Sequence, residues 1–366
     1  MPIYMDLHIV PGINAKDVAN AHSMDVLMEK EHSCKCLTYW VDELRGYVFC
    51  LIDAPDKETV VELHTRAHGL VPNKVIEVEP SLVHAFLGRI TDPENAHVTD
   101  KGLLVMDDTS YRIIMHLQTR DSVLLRHELG DEKAAGIMEQ FRSVVKEQVL
   151  KNNGREVFQS GSDITTSFVE GNKAFAAALA IGNFLDLFPV MEARISLHAG
   201  EPVAQSDKLF GDTVQLLKRF NASPRSQLLA ITAGVRELLS NEMLNEASGK
   251  ILVYSSSDEA FVTALFDALE SKFAEEDFDI ERCCHMLAMS QSQLYRKTTQ
   301  LFQQSPNHLL RNYRLMRAME QLKLSDRSVS QVSFDTGFSS PSYFTKCFKS
   351  YCGLLPLAYQ SLAKGI

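Results

Sequence analysis

The chain lacks any run near the roughly eighteen consecutive apolar residues of a membrane-spanning helix, so no span is expected in it. It also lacks a C-x-x-C pair. Its seven cysteines, an odd number, are Cys34, Cys36 and Cys50 early in the chain and Cys283, Cys284, Cys347 and Cys352 late. That pattern argues against a disulfide framework or a zinc knuckle and reads as free thiols of a reducing compartment. The opening residues, Met1 to Asp6, lack the basic-then-apolar layout of a secretory leader, and the expected location is the cytoplasm. Low-complexity segments are missing too. With 45% hydrophobic and 23% charged residues, the composition is that of globular domains. A length of 366 residues exceeds one ordinary core and suits two or three domains.

Positive charge is scarce overall, at 37 Lys and Arg against 47 Asp and Glu, a net charge of −10. Taken alone, that opposes a nucleic-acid partner. The distribution changes the reading. Residues 271–366 hold 12 Lys and Arg against 8 Asp and Glu, whereas residues 1–270 hold 25 against 39. An acidic body with a mildly basic end suits a DNA reader attached to a part that does not touch DNA.

Patterning divides the chain in three. Residues 1–92 read as strand, helix, strand, strand, helix, strand, with the turn Asp42 to Gly46 making a hairpin and Gly69 stopping the second helix. This βαββαβ order predicts a ferredoxin-like sandwich. Residues 108–250 form an α/β unit, with helices near 131–150 and 172–186 and extended stretches near 111–117, 155–168 and 193–198. Residues 258–366 are helical throughout. The predicted fold class is therefore multidomain, α+β followed by all-α, ending in a double helix-turn-helix.

The third unit holds a layout that occurs twice. Ile280 to Ala288 is a short apolar-faced helix, Met289-Ser290 a turn, and Gln291 to Phe302 a second helix. Val329 to Thr336, Gly337-Phe338 and Pro341 to Tyr351 repeat it. Gly337 can take the positive φ of a tight interhelical turn, Ser290 and Ser339 or Ser340 are natural N-caps, and Pro341 suits a first helical turn. The second helices carry Gln291, Ser292, Gln293, Tyr295, Arg296 and Lys297 in one unit, and Ser342, Tyr343, Thr345, Lys346 and Lys349, after Ser340, in the other. Such side chains can read base edges or hold phosphates. The helix Pro306 to Leu324, with Arg311, Arg314 and Arg317, would join the readers so that they enter successive major grooves.

Here the chain resembles the AraC/XylS family of transcription regulators. The matching run is Gly337, Phe338, Ser342, Tyr343, Phe344, Lys346, Phe348, Lys349, Gly353, Pro356 and Tyr359. Gln360 stands where that family commonly has Arg. The resemblance implies sequence-specific DNA binding.

The middle unit resembles class III nucleotidyl cyclases in Leu129-Gly130-Asp131-Glu132, Gly154-Arg155-Glu156-Val157, Arg194 to Glu201 and Phe210 to Val214. Such enzymes hold two metal ions on two carboxylates. Those positions fall here on Gln118 and Ser162, neutral groups that cannot replace anionic ligands of a hard cation. Asp163 and Asp121 lie close in sequence. Phe158 stands at the base-selecting Lys position, Gln215 replaces an Asn, and Arg219 is kept. The expectation is a sensing or dimerising remnant and not an enzyme; the alternative is a cyclase with a displaced metal site. Homodimerisation is expected because the domains it resembles build their site between two copies.

Six of the twelve histidines lie in the first 90 residues. His64 and His68 share a helical face at i, i+4, and His22 shares the first helix with Asp25. Imidazole suits nickel, zinc or copper, and the thiols of Cys34 and Cys36 are near in sequence. The stretches Asp6-x-His8-x-x-Pro11-Gly12 and His64-x-x-x-His68-Gly69-Leu70 resemble a ferredoxin-like family with nickel-binding members. His8, His22, His64 and His68 are the candidate ligands that this implies. The expectation is a regulator in which a metal or small-molecule effector acts on a DNA reader.

Overall fold

The computed structural model describes residues 1–93, 96–99, 102–106, 108–222, 229–324 and 326–365. Parts of the expected middle and C-terminal units, at 223–228, Ser325 and Ile366, lie outside the described residues.

The first unit has the expected order: β1 (Ile3–Ile9), α1 (Ala15–His32), β2 (Lys35–Asp42), β3 (Tyr47–Asp53), α2 (Lys57–Ala67) and β4 (Lys74–Glu77). The sheet runs β2-β3-β1-β4, antiparallel at every step. Local chemistry sets the boundaries. The Asn14 side chain caps α1 by accepting from the Lys16 and Asp17 amides, and Asp56 caps α2. Gly46, at φ +69°, closes the β2–β3 hairpin where an added Cβ would sit 2.9 Å from the Val10 carbonyl.

Both faces of this sheet are covered, so its strands are almost wholly buried. Met5, Leu7, Trp40, Phe49 and Leu51 pack on α3 (Pro80–Leu87) and the core beyond it. The alternate residues, Tyr4, Tyr39, Val41, Cys50 and Ile52, face α1 and α2. Asp6 and His8 of β1 belong to that second set by their alternation, which puts two polar groups beneath two helices. The short ladder of β5 (His97–Val98) and β6 (Leu104–Val105) follows.

The middle unit contains β7 (Arg112–Gln118), α4 (Ser122–Leu129), α5 (Asp131–Lys151), β8 (Arg155–Ser160), β9 (Asp163–Phe168), α6 (Gly171–Leu185), β10 (Arg194–Gly200), α7 (Gly211–Phe220), β11 (Leu229–Thr232), α8 (Ala233–Glu237), α9 (Asn241–Glu246) and β12 (Ile251–Tyr254). Its sheet runs β12-β11-β10-β7-β9-β8. The extended stretch expected at 155–168 is a hairpin, because Gly161 takes φ +58° and reverses the chain. Ile113, Met115 and Leu117 face the core with α5 and α6, while Ile114 packs with α7 residues such as Leu217 on the opposite side.

Seven helices follow among the described residues: α10 (Ser256–Lys272), α11 (Ile280–Met286), α12 (Gln291–Phe302), α13 (Pro306–Leu324), α14 (Val329–Asp335), α15 (Pro341–Cys352) and α16 (Pro356–Lys364). Ser255, Ser290 and Ser328 each make a capping box with the residue three positions on. Gly337 takes φ +78°, and an added Cβ there would collide with the Phe273 carbonyl. Arg314 donates to the carbonyls of Phe273, Glu275 and Phe278, so it stitches the domain together. Phe338, Phe344 and Phe348 are buried in one cluster with Tyr359. The middle unit grips this domain directly: Asp121 of the α4 cap accepts from the Tyr359 hydroxyl at 3.0 Å and pairs with Lys323 at 2.5 Å. Among the described residues no helix is long and apolar enough to cross a membrane.

Candidate nucleic-acid interface and metal centre

In each helix-turn-helix unit the second helix turns its apolar residues inward and its polar residues out. Leu294, Thr298, Leu301 and Phe302 of α12 are buried, while Gln291, Ser292, Gln293, Tyr295 and Arg296 are exposed. On α15 the buried set is Phe344, Cys347 and Phe348, and Ser342, Tyr343, Lys346 and Lys349 are exposed. Arg296, Lys346 and Lys349 have no carboxylate partner among the described residues. Three candidates are also occupied within the fold. Gln293 closes the α12 capping box by accepting from the Ser290 amide at 2.9 Å, Ser340 caps α15 by accepting from the Tyr343 amide at 3.3 Å, and the Thr345 hydroxyl donates to the Pro341 carbonyl. Lys297 is half-buried, paired with Asp258 at 3.2 Å and lying over the Phe261 ring.

At the other end, the buried polar set beneath α1 and α2 forms one cluster. His64 of α2 is its hub: Nε2 lies 2.8 Å from Asp6 Oδ2, and Nδ1 lies 3.1 Å from both Asp25 Oδ1 and His68 Nε2. His8 Nε2 is 3.3 Å from Asp6 Oδ1, and His68 Nε2 is 3.2 Å from Asp25 Oδ1. Two potential ligand sets share His64: Asp6, His8, Cys50 and His64, and Asp25, His64 and His68. Burial would discharge the His64 ring, but the carboxylates of Asp6 and Asp25 outweigh it and hold its pKa up at about 10. Burial likewise opposes charge on Asp6, yet His64 and His8 keep that carboxyl well below its ordinary range. A protonated ring between two buried carboxylates is where a cation is favoured, and His8 Nδ1 is a buried nitrogen with no partner among the described residues. Nitrogen, carboxylate and thiol donors together suit a borderline transition metal.

Of the four candidate ligands, His8, His64 and His68 come together, and His22 does not join them. It lies near Asp92, at 3.8 Å, and against the Tyr39 ring. The thiol in the cluster is Cys50 and not Cys34 or Cys36. Asp6 and Asp25 were visible beside His8 and His22, but only the sheet's alternation and the helix facing show that both meet His64.

In the middle unit Gln118 stands opposite Asp163 across β7–β9, and Ser162 contacts Asp163 at 3.3 Å. Asp121 is engaged at the α4 cap by Tyr359 and Lys323, which leaves it committed to the domain contact.

Comparison with known proteins agrees with the two ends. Residues 283–361 match the family described as a helix-turn-helix domain, and residues 4–78 the family described as nickel responsive protein SCO4226-like. Histidine kinase P4 of Formosa agariphila is 33% identical over 110 residues, covering 30% of this chain and 8% of that protein. The HTH-type transcriptional regulator GadX of Escherichia coli K12 is 25% identical over 217 residues, covering 57% of this chain and 77% of that one. The structure of SCO4226 from Streptomyces coelicolor A3(2) is 31% identical, covers 21% of this chain and 94% of its own, and has a TM-score of 0.20. A bacterial light-regulated adenylyl cyclase is 14% identical, covers 66% of this chain and 88% of its own, and has a TM-score of 0.31. The chain spans 8% and 36% of the lengths of the first two curated relatives it matches. The C-terminal domain is a helix-turn-helix domain of the AraC type. The N-terminal domain is of the SCO4226-like kind.

Proposed function

We propose that the chain is a cytoplasmic, sequence-specific DNA-binding transcription regulator. Its domains are taken as 1–92, 108–250 and 258–366, with the reader in the last. The observation that carries this reading is the pair of second helices, α12 and α15, each with an apolar face buried and a polar face exposed, of Gln, Ser, Tyr and Arg on α12 and of Ser, Tyr and Lys on α15. Gln291, Ser292 and Arg296 of one helix and Ser342 of the other read base edges, while Tyr295, Tyr343, Lys346 and Lys349 hold phosphates. Gln293 and Lys297 work at the edge of the first reader, and Ser340 and Thr345 orient the second. The test is selection from random duplex DNA by the full chain. A motif of two half-sites about one helical turn apart is expected, and recovery of no motif over bulk sequence would refute the reading.

The N-terminal cluster supports a transition metal as effector, nickel first. Asp6, His8, Cys50 and His64, with Asp25 and His68 alongside, would hold it, and the metal would replace the proton that His64 carries. Elemental analysis after nickel loading, together with the shift in melting temperature, tests this. No bound metal and no shift would remove the metal from the reading. The middle domain is a structural or sensing partner that assembles as a homodimer, and not a cyclase: in its resemblance to cyclases, Gln118 and Ser162 fall where two anionic ligands are needed.

A further inference from the structure

Between the middle sheet and the C-terminal helices lies a cavity of about 380 Å³, lined in part by Gln118, Gln215 and Arg219, the positions of the altered cyclase-like site, to which the reading above assigns no ligand. That volume falls within the range of small-molecule sites. One wall is a cross-strand row in which Arg194 of β10 faces Gln118 of β7, which in turn faces Asp163 of β9. A second wall is the end of α7, with Lys218, Arg219 and Asn221, and the third is α13 of the reader domain, with Tyr313 and Arg317.

The charges on these walls do not cancel. Arg219 is satisfied by Asp267 at 2.5 Å and Glu270 at 3.1 Å, and Arg317 by Glu320 at 2.7 Å. Arg194 and Lys218 have no ion pair among the described residues. Asp163, the acidic residue left over, is pushed by burial toward its neutral form, an effect that Lys218 only partly offsets. Three buried donors, Arg194 Nε, Arg219 Nε and Asn221 Nδ2, have no acceptor among the described residues. Buried donors without acceptors are uncommon and costly, and a surplus of them beside two unpaired cations asks for anionic oxygens.

We propose that this cavity binds a small organic anion whose phosphate or carboxylate oxygens are held by Arg194, Lys218 and Asn221, and that the ligand bridges the middle domain to the DNA reader. The third wall gives the bridge its meaning. The helix α13 joins the two helix-turn-helix units, so a ligand seated against it favours one placement of the reader on the middle domain over others. This last step rests on the reading of the C-terminal domain as a DNA reader; the binding step does not.

The test is calorimetric titration of the full chain with 5′-AMP and, separately, with citrate, both without added metal. At least one is expected to saturate, with AMP alone pointing to a phosphate ligand and citrate alone to a carboxylate. Lys218 is exposed, so Lys218→Met leaves the fold intact and is expected to weaken binding at least tenfold; Arg194→Met is the second variant. Saturation by neither compound at about 5 mM, or equal affinity in wild type and Lys218→Met, overturns the proposal. Bound ligand is further expected to change DNA affinity at least threefold in wild type and not in Lys218→Met. Binding without that change overturns the bridge. Loss of DNA binding in every condition would instead refute the regulator reading, and the calorimetry would still decide the cavity.

Discussion

At one end of the chain Asp6 and His64 are completely buried, and at the other Tyr295 and Tyr343 stand 57% and 52% exposed. Both regions are crowded with polar side chains, yet they settle the cost of polarity in opposite ways. The N-terminal groups satisfy one another inside a closed space, so each holds its neighbours in place. The C-terminal groups stand on helices whose stability comes from the apolar side, and they are left for an outside partner. Removing a polar group should therefore cost folding in the first region and binding in the second.

The strongest test of that contrast is His64→Ala. It leaves Asp6 and Asp25 buried without their shared partner, and breaking a buried ion pair in this way costs about 3–5 kcal/mol. Trp40, the single tryptophan, is fully buried in the same sheet and reports on its packing. Its fluorescence transition in denaturant should move to markedly lower concentration; an unmoved transition would break the comparison. In the second region Arg296→Ala and Lys346→Ala should leave melting unchanged and weaken DNA binding by about 1–3 kcal/mol. Lys346→Ala should also lower the salt dependence of binding by about one counterion, measured by anisotropy at several salt concentrations.

Glu201 lies between these extremes, at the contact of the first two units. Burial pushes its carboxyl up to about 7, against which the Ser110 hydroxyl at 3.1 Å and Arg45 at 3.7 Å offer partial relief. The folded chain thus keeps a proton that the unfolded chain releases near pH 4.5. Stability from this group is greatest at low pH, falls as pH rises from about 4.5 to about 7, and is flat above that. Glu201→Gln should remove this slope and stabilise the chain by about 1–2 kcal/mol near pH 8. Melting curves across pH check it, and an unchanged slope in the variant would show that the burial is relieved by other means.

What was legible in the sequence follows the same contrast. The helix-turn-helix pair was readable because each unit is contiguous: Ser290 before Gln291, and Gly337 before Pro341, mark turns and caps by local rules. The βαββαβ order was readable for the same reason. The buried polar cluster was not, because β1, β3, α1 and α2 each supply part of it. The i, i+4 spacing found His64 and His68, but it could not tell that His22 turns toward Asp92 while Asp25, three residues on, turns inward. Cys50 was passed over for Cys34 and Cys36 because nearness in sequence is a poor guide across a hairpin.

The smallest effect sharpens the comparison at the boundary between its two halves. Gln293 is at once a candidate reader and the closing residue of the α12 capping box, so it belongs to folding and to binding together. Ser290→Ala removes the hydroxyl that accepts from the Gln293 amide at 3.2 Å, and loss of such a cap costs about 1 kcal/mol. The first turn of α12 should then fray, with faster amide exchange at Gln293 and a slightly lower melting temperature of the reader domain. Specific DNA affinity should fall with it, while affinity for bulk DNA, which depends on Lys and Arg elsewhere on the helices, stays the same. Ser290→Asp keeps an acceptor at the cap and should restore both exchange protection and specificity. If Ser290→Ala frayed the turn and left specificity untouched, Gln293 would be a capping residue alone, and the first reader would consist of Gln291, Ser292, Tyr295 and Arg296.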